Sequence, residues 1–386
     1  MLKRAINILI LTFLLLFPIV ATSCTPGKPS KGDIFVYVAA PLSGWQADGG
    51  QTVVGGARLA AQEINKRGGI LGYRVQVVAL DDEADSDVAV EVAQQVEDAI
   101  SEGKNVLGVV GHYNSGQAAA ALGVYKDLPI IVVTPTASDT RLTQQGYDNF
   151  FRVNATDAAQ GPYDARFLVT DLQAERIVIV HADNDYGRGL KEQMIGALGD
   201  LQSPPVDVIE IQEAADTYAS ILPRIKDARP DAVFLAGYET EGYVLLPEMR
   251  EADIEAAFMA SDGCFLYAFI DGAGQWAEGA YVSGITPDPK AVADERWWQA
   301  YQDLEARNPG TYSVAGYSAL MVMAEGAEQA KTLDAASISE TLKEIQFSTL
   351  IGPVDYDQHG DLTEQRIYIF QVRDGDFAQI RPSPES

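Results

Sequence analysis

Gly111-His112-Tyr113-Asn114-Ser115-Gly116-Gln117 and Thr134-Pro135-Thr136-Ala137-Ser138-Asp139-Thr140 are two loops built to one plan. Each follows an apolar, β-branched run, at 106–110 and 130–133, that reads as a buried strand of a parallel sheet. Each precedes a helical pattern: 117–125 is Ala-rich, and 139–145 has the composition of a short helical turn. A hydroxyl at such a junction can cap the helix by accepting from its first free N–H groups. It can also join those N–H groups in holding a small anion, because a helix N-terminus favours negative charge. Two such junctions on neighbouring strands open on one sheet edge, where open α/β sheets take their ligands.

Outward from these loops the alternation continues. Strands read at 33–40 and 74–80, and helices at 52–66 and 86–100. Ala57, Ala60, Ala61 and Ile64 share one helix face, with Gly68-Gly69 as its stop. Val88, Val92, Val96 and Ile100 share a face of the next, for which Ser86 is the expected cap. The acidic run 81–87 lacks the central Gly and closing Glu of a calcium loop and reads as a solvated turn. A second cycle starts near Asp157, with strands at 176–181, 206–211, 231–237, 257–261 and 280–284. Its helices read at 160–171, 187–201, 218–228, 242–251 and 266–270. Past Pro287 and Pro289, helices read at 294–305 and 314–331, then hairpin strands over 352–380 with turns at 357–360 and Asp374-Gly375. The expected fold is α/β with two doubly wound units.

The N-terminus reads as an address. Lys3 and Arg4 precede an apolar run over 5–20 and then Ala21-Thr22-Ser23-Cys24, the layout of an export signal. Cys24 after small residues resembles a bacterial lipobox, so residues 1–24 are expected to be removed up to a lipidated Cys24. Residues 25–32, rich in Pro, Gly, Ser and Lys, read as a tether. The formal charge of −27 becomes −29 without Lys3 and Arg4. Such a chain repels nucleic acid and anionic lipid. Apart from Cys24 only Cys264 is available, so no internal disulfide is expected, and the thiol reads as packed and inert. Three His at 112, 181 and 359 have no metal-ligand spacing, and neither half carries a phosphate-binding Gly fingerprint. His112 and Ser115 lie close in sequence but without a nucleophile elbow. No enzyme, cofactor or metal is expected.

Several further motifs stand in order with the two loops. They are Gly55-Gly56-Ala57-Arg58-Leu59-Ala60, the run 64–72, and the flank 141–147. Gln160-Gly161-Pro162, Asp185-Tyr186-Gly187-Arg188-Gly189 and Ile351-Gly352-Pro353 complete the series. Together they resemble the leucine/isoleucine/valine-binding proteins of ABC importers, the amino-acid branch of the type I periplasmic binding proteins. The likeness runs from about residue 33 to 380. It implies two lobes joined by three hinge crossovers, residues 33–155 with 287–351 and residues 156–286 with 352–380, that shut on a ligand.

The resemblance also implies a site. The carboxylate of an α-amino acid would meet Ser115 and the N–H of Ser138. Its ammonium would meet the Thr136 carbonyl, the Ser138 hydroxyl and Asp262, where relatives usually carry Glu. The competing reading of Asp262-Gly263 is a plain turn, with Glu239 and Glu241 as fallback acceptors. Tyr186 and Tyr238 would close from the second lobe. Tyr113 and Tyr312 would line the first, with Asn114, Ala137 and Trp45 completing the set. Two departures stand out. A pocket Trp of some relatives corresponds to Gly49, and the positions of a common first-lobe disulfide are Ala84 and Asn114.

The expected function is a lipid-anchored, extracytoplasmic, monomeric subunit that captures a branched-chain or other aliphatic amino acid and delivers it to a membrane permease. The same fold could serve an amide, a urea-like compound or an aromatic acid, or a ligand-sensing receptor.

Overall fold

The computed structural model describes residues 28–382. The export signal, Cys24 and residues 25–27 of the tether lie outside the described residues, whereas the N–H groups of Ser30 and Lys31 of the tether donate to the Gly72 carbonyl. β1 (Asp33–Ala40), β2 (Arg74–Asp81), β3 (Val106–Val110), β4 (Ile131–Thr134) and β5 (Phe150–Arg152) pair in parallel, in the order β2-β1-β3-β4-β5. The apolar runs at β4 and most of β3 are buried on both faces, which is why they show no alternation. Helices α1 (Ala47–Lys66), α2 (Ser86–Ser101) and α3 (Ser115–Tyr125) make the first crossovers. α2 and α3 cover one face through Val92, Val96, Ala118 and Ala121.

The second sheet repeats this order. β6 (Ile177–Ala182), β7 (Asp207–Ile211), β8 (Ala232–Ala236), β9 (Ala257–Ala260) and β10 (Tyr281–Gly284) run β7-β6-β8-β9-β10. α4 (Asp157–Arg166) precedes β6, and between the strands lie α5 (Asp185–Asp200), α6 (Leu222–Ala228), α7 (Glu239–Glu251) and α8 (Tyr267–Ala273). The chain then returns to the first sheet through α9 (Pro289–Val292), α10 (Glu295–Glu305), α11 (Ser313–Ala330) and α12 (Ala335–Glu344). α11 lies against α1 so closely that a Cβ on Gly56 would strike the Ser313 carbonyl oxygen. A Cβ on Gly316 would strike that of Val53 in return, so both positions need Gly.

β11 (Phe347–Thr349) and β12 (Gly352–Val354) pair as a hairpin, and β13 (Tyr368–Arg373) and β14 (Asp376–Arg381) extend the second sheet antiparallel beyond β10. The three passages between the sheets meet in a small apolar cluster of Ala155, Ile285 and Ile367. There the Ala155 N–H donates to the Ile285 carbonyl at 3.2 Å. The Thr156 N–H and hydroxyl donate to Gln365 Oε1 at 2.8 and 2.9 Å. The molecule is thus two doubly wound lobes on a three-strand hinge.

Some boundaries differ from the sequence reading. Asp85, not Ser86, caps α2, accepting from the N–H groups of Asp87 and Val88. α1 begins at Ala47 rather than 52, which draws Gly49 and Gly50 into a helix that low propensity had hidden. β5, α12 and β11 were not anticipated. Val354, Tyr356 and Leu362 pack into the core of the first sheet. We therefore place the third crossover between Leu362 and Tyr368 rather than at 351–352.

Candidate functional site

In an open α/β sheet the order reverses at one point, and loops on either side of it part to leave a crevice. In the first lobe that point lies between β1 and β3, in the second between β6 and β8. The loops after β3 and β4 are locked together by their own hydroxyls. Thr134 Oγ1 donates to the His112 carbonyl at 2.9 Å and accepts from the Ala137 N–H at 2.9 Å. Thr136 Oγ1 donates to the Tyr113 carbonyl at 2.5 Å. Ser115 opens α3 but does not cap it. Its Oγ accepts from the N–H groups of Ser138, at 3.3 Å, and Asp139, at 3.2 Å.

Behind this loop sits a fully buried cation. Arg152 donates through Nη1 to the Ala137 carbonyl at 2.7 Å and through Nη2 to the Asp139 carbonyl at 2.6 Å. Its Nε meets Asp361 Oδ1 at 2.6 Å. Five N–H groups in a rigid fork suit Arg to this task, since carbonyls turned inward need donors. His112 is likewise structural: Nδ1 lies 2.7 Å from Asp82 Oδ2 and Nε2 3.1 Å from Tyr125 Oη, so both ring nitrogens are engaged.

The second lobe brings phenols and carboxylates. Tyr186 Oη donates to Asp262 Oδ1 at 2.5 Å and accepts from the Gly263 N–H at 3.3 Å. The Tyr186 and Tyr238 rings stack with centroids 5.1 Å apart, and Trp45 of the first lobe lies 5.7 Å from Tyr238. Tyr312, entering α11, reaches across to donate to the Asp262 carbonyl at 2.7 Å. Its ring meets Tyr113 edge-on at 5.4 Å. Cys264 is buried, its Sγ 3.1 Å from the Tyr238 carbonyl, and burial pushes the thiol pKa up.

Four carboxyl groups here carry raised pKa values, each because burial penalises the charged form. Asp262 rises to about 6, restrained by the hydrogen bonds of Tyr186 and Gln160. Asp157, at the start of α4, rises to about 8, and neither of its oxygens has a hydrogen-bond partner. Glu239, the first residue of α7, also rises to about 8, with Oε2 unpartnered. Glu241 rises to about 7, although it accepts from the N–H groups of Ala214 and Tyr238, both at 2.7 Å. Those two bonds engage both Glu241 oxygens with backbone donors, and Glu241 does not line the cavity between the lobes.

Tyr113, Asn114, Ser115, Thr136, Ser138, Tyr186, Tyr238, Asp262 and Tyr312, all singled out in the sequence, line one cavity between the lobes together with Gly263. The cavity they enclose is about 20 Å³, little more than the room of one water molecule. The lobes are closed on it. Ala137 faces away, buried in the core beneath α3, and Trp45 stands at the mouth, 36% exposed. Wider surface grooves, such as one along α1 by Arg58, Gln62 and Asn65, lack convergent buried polar groups. Among the described residues no group of His, Cys, Asp and Glu is arranged to hold a metal ion, and no helix is long and apolar enough to cross a membrane.

A family model described as periplasmic binding protein matches residues 34–376. The chain belongs to that family. It is 30% identical over 330 residues to the Leu/Ile/Val-binding protein of Escherichia coli K12, covering 86% of this chain and 88% of that one. It is equally 30% identical over 335 residues to the leucine-, isoleucine-, valine-, threonine- and alanine-binding protein of Pseudomonas aeruginosa, covering 85% and 87%. A crystal structure of a leucine-binding protein from Thermotoga maritima superposes with a TM-score of 0.81 at 25% identity, covering 90% of this chain and 99% of that one.

Within this family fold three residues of the site escaped the sequence reading: Arg152, Asp157 and Gln160. Arg152 sits at the end of a three-residue strand with no pattern to announce it. Asp157 and Gln160 lie beside the quoted Gln160-Gly161-Pro162 motif, which was the available signal. At the disulfide position of relatives, Gln117 Nε2 donates to the Ala84 carbonyl at 2.6 Å, and Asn114 Nδ2 to Gln46 Oε1 at 2.6 Å.

Proposed function

We propose that the chain is the extracytoplasmic binding subunit of an ABC importer, and that it captures an α-amino acid by its charged head group. The observation that carries this reading is the pairing of unlike walls across one closed cavity. N–H and hydroxyl groups of Ser115 and Ser138 on one side suit a carboxylate. The Ser138 hydroxyl, the Thr136 carbonyl, Asp157 and Asp262 suit an ammonium. An ionised partner brought to a buried carboxylate supplies a charge-assisted bond and relieves the cost of desolvation. Because the acceptors come from both lobes, the ligand itself would hold them shut.

The ligands named for the relatives are aliphatic amino acids, which come first in a screen. Cys24 as lipid anchor, residues 25–32 as tether and delivery to a permease complete the proposal, with one chain sufficient for binding. Binding rather than turnover fits the engaged nitrogens of His112, the candidate base of the first loop.

The test is a thermal-shift screen of residues 25–386 against the twenty amino acids, small amides and aromatic acids. Ligand at 100 times its Kd stabilises the bound state by about 2.7 kcal/mol. Stabilisation by an amino acid, abolished in Asp262→Ala, is the expected result. Response only to aromatic acids or amides, unchanged in Asp262→Ala, would overturn the head-group assignment.

A further inference from the structure

One buried carboxylate next in sequence to the cavity-lining Tyr238 has no role in holding an amino-acid head group. Glu239 is only 3% exposed, yet it belongs to an acidic loop that would ordinarily lie in water. As the first residue of α7 it is favoured by the helix dipole, and its own backbone N–H bonds back to the side chain. That accounts for one oxygen. The other, Oε2, has no hydrogen-bond partner. A buried acceptor left unmet is costly enough that native structures nearly always supply a donor.

The surroundings say where the donor comes from. Glu239 follows Tyr238, whose ring is covered by Trp45 of the opposite lobe. It is the strongest charge acting on the Tyr113 hydroxyl and also acts on Tyr312, both of which line the cavity. The acids facing it are Asp48 at the start of α1 and Glu241 on its own helix. Arg307, the cation beside Asp48, is already bonded to it at 2.7 Å. Gly49 completes this corner: a Cβ there would collide with the Tyr113 hydroxyl oxygen, so the missing side chain is what admits the phenol. Glu239 thus lies near the Tyr113 and Tyr238 phenols at this end of the cavity, with Asp48 on the solvent side and paired with Arg307.

Resting on the head-group reading above, we propose that Glu239 is a specificity-determining residue, and that the ligand's far end carries N–H groups for it, as an amide or an ammonium does. A wholly aliphatic side chain would leave Oε2 without a donor. A site built to meet a hydrogen-bonding group rejects the analogue lacking it far more strongly than an apolar pocket rejects an extra methylene.

Isothermal titration of residues 25–386 with Leu, Ile and Val, with Asn and Gln, and with ornithine, Lys and Arg tests this. The expected result is binding of an N–H-ended amino acid at least tenfold tighter than any aliphatic one. Glu239→Leu should reverse that order, and Glu239→Gln should weaken ammonium- or guanidinium-ended ligands more than amide-ended ones, which tells the two sources apart. The Gln variant keeps the volume and the helix start, so it still reports if Glu239→Leu does not fold. An aliphatic preference unchanged in both variants overturns this inference and leaves the importer reading standing. Silence from every amino acid, with Asp262→Ala without effect, overturns both.

Discussion

The two walls of the cleft are held in opposite ways. The first-lobe wall is neutral and braced: Ser115 Oγ takes the N–H groups of Ser138 and Asp139, and Arg152 grips the carbonyls behind them, while Ser138 Oγ and Asn114 Oδ1 are left without partners. The facing wall is acidic and unfinished. Glu239 Oε2 has no partner, nor has either oxygen of Asp157 at the hinge, and burial raises both groups to about 8. Bracing on one side and unpartnered buried acids on the other suggest how such a cleft divides its work. One wall is a template whose shape is settled before the ligand arrives, and the other is a set of acceptors that the ligand completes.

The comparison breaks most readily at the template. Arg152→Met should cost about 3–5 kcal/mol of stability, since it strands the Ala137 and Asp139 carbonyls and Asp361. Urea unfolding is the measurement. A loss below about 1 kcal/mol would mean that water replaces the guanidinium and that the first wall is not preset. Asp262→Ala works on the opposite wall. It should leave the fold intact but weaken ligand by roughly a hundredfold, about 3 kcal/mol, as loss of a buried charged acceptor does. Titration calorimetry reads this directly.

Ser115→Ala should cost about 1 kcal/mol in ligand affinity, as for one neutral hydrogen bond, while the loop stays fixed by Arg152 and Thr134. A hundredfold loss would move the Ser115 hydroxyl from helper to principal anchor. The smallest effect is in pH. Asp157 and Glu239 have closed-state values of about 8, above their ordinary 3.8 and 4.5. Between those limits the closed form holds protons that an opened or unfolded chain releases, so its stability is full at low pH and lost as pH rises toward 8. The ligand-free chain should therefore open on going from pH 5 to pH 8.5, seen as a larger radius of gyration in X-ray scattering. Asp157→Asn should blunt the change, and equal radii at both pH values would show the acids to be hydrated.

Much of this contrast was legible in the residues. The β-branched runs and the hydroxyl loops after them announced the first wall, because parallel strands and helix starts are local patterns. Tyr186, Tyr238, Asp262 and Tyr312 came through likeness to relatives, each at the predicted edge. Arg152 was not legible, because a buried cation is defined by carbonyls 13 and 15 residues away in the chain and by Asp361, 209 residues away. The start of α1 was hidden by Gly49 and Gly50, whose low helix propensity is overridden by packing against Tyr113 and Pro41. The third crossover was misjudged because a β-rich tail reads as one unit, whereas Val354 and Tyr356 belong to the first core. Apolar pattern reveals that a residue is buried but not in which lobe.

The bond from the Ser138 N–H to Ser115 Oγ bears on unloading as much as on capture. A donor aimed at a carboxylate is normally left bare when the carboxylate leaves, and that loss resists departure. Here the vacated N–H has a substitute acceptor 3.3 Å away. If the carboxylate is held at the Ser138 N–H as proposed, the template wall would heal itself behind the outgoing solute. A carrier meant to surrender its cargo, rather than store it, gains a softer exit on the side where its grip is most rigid.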